Sequence, residues 1–117
     1  MAGERSQSRR FAHATVGAVF LSAATVSSMP AALAQEDQAK IAAGEAVYNT
    51  NCAICHGDNL VNTGQTFDLR KLKANERPRF DYSVRNGKNQ MPPWKGVLSD
   101  EEIDQLWHYI RANAYER

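Results

Sequence analysis

The sequence lacks several features on which small proteins commonly rely. It contains only two cysteines, which excludes a framework of several disulfides, and it has no internal repeat or low-complexity stretch after residue 34. No segment alternates apolar and polar residues over the length of a convincing strand, so an all-α fold is predicted. Neither sign of charge is in excess, with 14 Lys and Arg against 13 Asp and Glu, and this balance disfavours nucleic acid as a partner.

The first 34 residues differ in pattern from the rest of the chain. A basic opening precedes an uncharged run of small and apolar residues at positions 14–29, and an Ala-Leu-Ala triplet occupies positions 32–34. This order predicts a secretory signal peptide cleaved after Ala34, which leaves residues 35–117 as one domain exported to the periplasm. A retained membrane anchor is the alternative, but the run is shorter and richer in Ser, Thr and Ala than a membrane-spanning helix requires. A pair of arginines in the opening leaves both the general and the twin-arginine export routes open.

Three segments carry the signals of helices. Apolar and small residues spaced three and four apart predict a helix over residues 37–55, which Gly57 ends. A short helix is predicted over residues 78–86, and Ser99 with Glu102 forms the capping-box signal of a third. The segments between them are predicted as long loops, which in compact domains commonly serve function. The apolar face of the third helix comprises Ile103, Leu106, Trp107, Ile110 and Ala114.

The motif that carries chemistry is Cys52-Ala53-Ile54-Cys55-His56, the C-x-x-C-H pattern of covalent haem attachment. Residues three apart on a helical turn project from one face, so both sulfurs can reach the two vinyl groups on one edge of a porphyrin. His56 is then placed to bind the iron through a neutral ring nitrogen. The sequence therefore predicts one covalently bound haem c, whose apolar ring also supplies the buried surface that so small a domain lacks.

Three other interpretations use the same residues. A structural zinc site needs four ligands, and after residue 34 only Cys52, Cys55, His56 and His108 qualify, two of them adjacent in sequence. A thioredoxin-like redox pair lies beside a βαβ pattern, which the sequence does not show. A plain disulfide would suit an exported binding module without haem, but it would leave a small core and long loops without a purpose.

A second iron ligand is predicted by elimination. Met1 and Met29 belong to the predicted signal peptide, which leaves Met91 as the only thioether of the domain. Met91 lies in a polar loop stiffened by the two prolines that follow it, an unusual place for a core filler. His108 is predicted to face solvent from the third helix. Coordination by His56 and Met91 would raise the haem potential, and an open sixth position, as in a gas sensor or a peroxidase, is the alternative.

These pieces resemble the class I c-type cytochromes over nearly all of residues 37–114. The matching segments are the first helix, C-A-I-C-H, M-P-P-W and the terminal E-E-I-D-Q-L-W-H-Y-I. The resemblance implies a small cytochrome c fold with loops wrapped around a covalent haem. It also implies that the N- and C-terminal helices cross where Gly44 and Tyr48 meet Leu106 and Tyr109.

One departure from that family lies just after the haem motif. Many members carry a Gly-Pro there, whose carbonyl orients the proximal histidine, whereas residues 57–72 contain no proline. We therefore expect another carbonyl to accept the ring N–H of His56.

Within the family, the segments F-D-L-R-K-L and F-D-Y-S-V-R-N-G-K-N-Q-M-P-P-W resemble periplasmic cytochromes that accept electrons from PQQ-dependent alcohol dehydrogenases. The resemblance implies a monomeric electron carrier, not an enzyme and not stably inserted in a membrane. A quinoprotein dehydrogenase would be its donor, and a terminal oxidase or another cytochrome its acceptor.

Positive charge is concentrated between residues 70 and 95. A basic rim around an exposed haem edge would attract an acidic redox partner, and an ordinary solvated surface is the alternative. The basic residues are Arg70, Lys71, Lys73, Arg77, Arg79, Arg85, Lys88 and Lys95.

Overall fold

The C-terminal helix begins as its sequence predicts. The computed structural model describes the backbone of residues 29–116 and side chains from residue 33 onward. In it, the Ser99 hydroxyl accepts a hydrogen bond from the backbone N–H of Glu102 at 3.2 Å. The Glu102 carboxylate accepts one from the backbone N–H of Ser99 at 2.7 Å. The two bonds satisfy N–H groups that the first turn of a helix leaves free, so the predicted capping box is confirmed.

The described part of the chain consists of α-helices, short 3-10 helices and loops, without a β-strand, which confirms the all-α prediction. The α-helices are α1 (Met29–Asn51), α2 (Ala53–His56), α3 (Arg77–Asn86) and α4 (Asp100–Ala112). The 3-10 helices cover Asp58–Leu60, Leu69–Lys71 and Ala74–Glu76, within the segment predicted as a loop. The predicted signal peptide lies almost entirely outside the described residues, so its cleavage after Ala34 stays a prediction.

The first helix differs from its prediction at both ends. Instead of one helix over residues 37–55, the chain forms α1, which begins earlier, and then α2, with a break at Cys52, where φ widens to −117°. The backbone N–H groups of Cys55 and His56 both donate to the Cys52 carbonyl, at 3.1 and 2.9 Å, which tightens the turn. Gly57 ends α2 with a φ of 89°, as predicted.

α1 and α4 cross at Gly44. This glycine is buried, and a Cβ atom added to it would overlap the backbone carbonyl of Gln105 on α4. Beside it the rings of Tyr48 and Tyr109 pack with their centroids 5.4 Å apart, and Leu106 is 2% exposed in the same core. The implied helix crossing is therefore confirmed, because a residue without a side chain is what lets the two backbones approach.

A single cluster of buried side chains joins α1, α3 and α4. Trp107, which the sequence places on the apolar face of α4, is only half-buried and packs against Phe80 with ring centroids 5.2 Å apart. The cluster comprises Tyr48, Leu60, Leu72, Phe80, Val84, Leu98, Ile103, Leu106, Tyr109 and Ile110. This core surrounds the cavity described below.

α1 has the length of a membrane-spanning helix but not its apolarity. Its 23 residues include Glu36, Asp37, Lys40 and Glu45, spread along the helix. None of the helices that the structure describes is both long and apolar enough to cross a bilayer.

Candidate functional site

A cavity of about 650 Å³ cuts into the core. All four residues predicted to hold the haem, Cys52, Cys55, His56 and Met91, line this one cavity. More than half of the remaining lining residues are apolar, and seven of them belong to the core cluster, including residues of α3 and α4. The fold thus brings a motif on α2 and a methionine 35 or more residues away along the chain to the same buried space.

The two cysteines present free thiols on one turn. Burial, and to a lesser extent the neighbouring Cys55, raises the pKa of the Cys52 thiol to about 11. Ile54, between them, is 93% exposed, so the turn directs its cysteines toward the cavity and this apolar side chain toward solvent.

Tyr48 supports the turn that follows the motif. It is fully buried, and its hydroxyl donates a hydrogen bond to the backbone carbonyl of Gly57 at 2.6 Å. Burial raises the pKa of Tyr48 to about 12, so the hydroxyl keeps its proton and remains a donor near neutral pH. Position 57 requires glycine for two reasons. Its φ of 89° is a conformation that other residues rarely adopt, and an added Cβ would overlap the carbonyl of Val61.

Replacing Tyr48 with phenylalanine is expected to lower the free energy of unfolding of the haem-loaded protein by about 1–2 kcal/mol, because the Gly57 carbonyl loses its donor. Guanidinium denaturation followed by the haem absorbance measures it. Tyr82→Phe is the matched control, since Tyr82 is 70% exposed and its change is expected to stay within about 0.5 kcal/mol. Equal stabilities of the two variants would mean that the Tyr48 bond contributes nothing.

His56 lies half-buried in the cavity wall. Burial lowers its pKa, and a hydrogen bond with the backbone of Phe67 opposes this in part. The hydroxyl oxygen of Thr66 lies 3.3 Å from Nδ1 of the ring. The sequence predicted a backbone carbonyl as the partner of this ring. The structure places both the backbone of Phe67 and a threonine hydroxyl beside it.

Met91 is held in a tight turn. The backbone N–H of Lys88 donates to the Met91 carbonyl at 3.1 Å, and the N–H of Met91 donates to the Lys88 carbonyl at 3.0 Å. Asn89 at the tip has a φ of 53°, a left-handed conformation that asparagine tolerates better than most residues. The N–H of Trp94 donates to the Val84 carbonyl at 2.9 Å, which ties the end of the turn to α3.

Gly87 joins α3 to this turn. Its φ is 74°, and a Cβ there would lie 2.7 Å from the Met91 carbonyl oxygen and 2.9 Å from the nitrogen of Pro93. The segment that carries Met91 therefore folds back directly onto the glycine that ends α3. This contact fixes the position of Met91 relative to α3.

Three polar residues of the cavity wall were not predicted to belong to the haem site. Thr66, Arg79 and Ser83 line the cavity, although the sequence assigned none of them a role there. They come from the long loop and from one face of α3, and only the path of that loop around the cavity brings them there.

The alternatives to haem find little support in this geometry. Within the described residues no three His, Cys, Asp or Glu side chains come together as a metal site, and His108 lies outside the cavity wall, with Nδ1 2.8 Å from the Asp104 carbonyl. The sequence predicted that His108 faces solvent, whereas the structure shows it half-buried. A thioredoxin-type pair lies beside a βαβ unit, whereas the described residues contain no β-strand.

The residues present fit a covalently bound haem. An apolar cavity set into the core suits a porphyrin, and two free cysteines with an adjacent imidazole stand in its wall. The fold and the site thus define the covalent-haem class of electron-transfer proteins.

Comparison with known proteins places the chain within that class. A family model described as cytochrome c oxidase, cbb3-type, subunit III matches residues 39–110. The cytochrome c6 of Pyropia tenera is 39% identical over 76 residues, which cover 61% of this chain and 89% of the relative. The cytochrome c6 of Leptolyngbya boryana is 39% identical over 81 residues, 65% of this chain and 95% of the relative. No solved structure matches the chain.

The chain belongs to this family of c-type cytochromes and, more narrowly, to the monohaem class I members. It binds one haem c covalently, and Cys52, Cys55 and His56 form the C-x-x-C-H motif for it. It transfers electrons in association with other redox proteins.

Proposed function

We propose that the protein shuttles one electron at a time between periplasmic redox proteins, with the haem iron held between His56 and Met91. When bound, the haem c supplies the Fe(III)/Fe(II) couple, and the protein sets its potential. The observation that carries this proposal is that both side chains line the same cavity as the two cysteines.

Four residues of the chain would hold the haem in this function. Cys52 and Cys55 would form the thioether links. His56, whose pKa burial lowers, would offer its ring nitrogen. Met91 would hold the iron through its thioether sulfur from its tied turn. If His56 and Met91 both hold the iron, no substrate would reach it, and the haem would exchange electrons with partner proteins without bond making.

A quinoprotein dehydrogenase is the proposed donor, because the M-P-P-W segment and its flanks resemble cytochromes that serve such enzymes. A terminal oxidase or another cytochrome is the proposed acceptor, and the oxidase named in the description of the matching family supports it. The signal peptide predicted over residues 1–34 supports a protein that works in the periplasm. We propose that it acts there as a monomer.

The basic residues between positions 70 and 95 are not equally available to a partner. Three arginines are neutralised by carboxylates of this chain, which weakens the prediction of a continuous basic rim. The pairs are Arg77 with Asp81 and Asp104, Arg79 with Glu76, and Arg85 with Asp100. The fourth arginine, Arg70, is half-buried with its guanidinium over the Tyr115 ring. The docking surface would therefore depend mainly on the lysines.

Lys88 and Lys95 are the lysines on the segment that carries Met91. Both are exposed, and Lys88 lines the cavity. Among the ion pairs of the described residues neither takes part. Positive charge at this position would steer an acidic surface of the donor toward the haem edge.

The test is stopped-flow reduction of the ferric protein by a purified PQQ-dependent alcohol dehydrogenase over a range of salt concentrations. The second-order rate constant is expected to fall as salt rises, because screening weakens the attraction. Lys88→Gln is expected to slow reduction about twofold to fivefold at low salt, the size of a rim charge effect.

Lys71→Gln is the matched control, since Lys71 is also exposed but does not line the cavity. Its rate is expected to stay near that of the parent. Rates that are independent of salt and equal for both variants would contradict the lysine docking surface. Absence of reduction by the dehydrogenase, with fast reduction by another cytochrome, would contradict the proposed donor. Rapid CO binding by the reduced parent would instead favour an open sixth position.

A further inference from the structure

The Thr66 hydroxyl stands between two groups of the haem motif. Its oxygen lies 3.3 Å from Nδ1 of His56 and 3.3 Å from the backbone carbonyl oxygen of Cys55. A carbonyl oxygen can only accept, so the single proton of the hydroxyl points to Cys55. The free lone pairs of the hydroxyl are then available to the ring N–H of His56.

The position of Thr66 is set by its own loop. The side-chain amide of Asn62 donates to the Thr66 carbonyl at 2.8 Å, and its oxygen accepts from the backbone N–H of Gly64 at 2.6 Å. On the other side, the Arg79 guanidinium lies 4.9 Å from the ring centroid of Phe67 and pairs with Glu76 at 2.6 Å. These contacts hold the segment that carries the hydroxyl against the motif.

We propose that Thr66 is a positioning residue for His56, whose hydroxyl accepts the Nδ1 proton and fixes the orientation of the ring. The inference rests on the proposed function, in which His56 binds the iron through its other nitrogen. It differs from the arrangement expected in the family, where a backbone carbonyl has this task.

The arrangement has a consequence for the potential of the haem. An acceptor on Nδ1 makes the imidazole a stronger electron donor through its other nitrogen. A stronger donor stabilises Fe(III) relative to Fe(II), so Thr66 would lower the reduction potential. Loss of the hydroxyl would shift the redox equilibrium toward the reduced form.

Thr66→Val removes the hydroxyl with little change in shape. Against a reference redox couple, the ferrous-to-ferric ratio of this variant is expected to rise about threefold to tenfold. The Nδ1 proton of His56, followed by NMR in the reduced protein, is expected to exchange faster with solvent. Thr66→Ser keeps a hydroxyl and is expected to restore both readouts toward the parent.

Thr63→Val is the matched control, an exposed threonine of the same loop. A Thr66→Val variant that keeps the parent's potential and proton exchange would overturn the proposal and leave the backbone of Phe67 as the partner. The low-spin spectrum of the parent separates this failure from that of the proposed function. If the parent lacks a thioether–iron band, the His56 and Met91 assignment fails, whatever Thr66 does.

Discussion

Replacing Met91 with alanine is expected to open the sixth coordination position of the haem and to lower its reduction potential. A thioether ligand raises the potential, and axial ligands set haem potentials over a range of about 0.8 V. The thioether–iron charge-transfer band of the ferric protein is expected to disappear, and the reduced variant is expected to bind CO rapidly. Optical titration and CO flash photolysis measure these changes.

The size of this effect follows from the absence of a substitute. Met91 is the only methionine after residue 34, and His108, the only histidine there besides His56, does not line the cavity. The turn that carries Met91 is tied to α3 through backbone bonds, so it is expected to keep its shape when the side chain is shortened. The expected change in potential is therefore due to the missing thioether ligand, because the rest of the cavity wall is expected to keep its shape.

Gln90→Ala is the matched control for Met91→Ala. Gln90 precedes Met91 in the same turn, is exposed and also lines the cavity, but it has no sulfur. It is expected to keep the band, the potential and the closure to CO. If Met91→Ala behaved like Gln90→Ala, another group would be the sixth ligand.

Replacing Gly44 with valine is expected to destabilise the haem-loaded protein by about 3 kcal/mol, because overpacking at a rigid contact cannot be relieved locally. A Cβ at this position meets the backbone carbonyl of Gln105 and lies 2.9 Å from the Cβ of Tyr109. A backbone carbonyl inside a helix cannot turn aside, so α1 and α4 would have to separate. Guanidinium denaturation and the yield of haem-loaded protein measure the effect.

Ala46→Val controls for the cost of a β-branched residue in α1. Ala46 lies on the same helix but is exposed, and the helix propensity of valine alone costs only about 0.5 kcal/mol. A loss at Gly44 no larger than at Ala46 would contradict the close crossing of the two helices.

Some of the fold could be predicted from neighbouring residues alone. The start of α4 could be predicted in this way, because Ser99 and Glu102 cap the same turn in which they lie. The end of α2 at Gly57 was predicted for the same local reason. The break at Cys52 was not predicted, because the apolar stripe of α1 continues through it. The turn tightens there because the N–H groups of Cys55 and His56 share one acceptor, the Cys52 carbonyl.

In the basic segment, residues 70–95, the sequence could not show which arginines are paired with acids remote in the chain. By sequence, Arg77 and Arg85 contribute to a positive rim. In the fold, Asp104 meets Arg77 across 27 positions and Asp100 meets Arg85 across 15. A count of charge over a window cannot include carboxylates that another helix supplies.

By itself the sequence determined the haem attachment, because two cysteines and a histidine on one turn contain that chemistry in five consecutive residues. It also predicted Met91 as the sixth ligand, since no other methionine is present after residue 34. Only the tertiary structure decided which groups lie beside the His56 ring, which arginines are neutralised and how Met91 reaches the cavity. Those contacts join residues that are remote in sequence, and the packing of α1, α3 and α4 around a common cavity sets their distances.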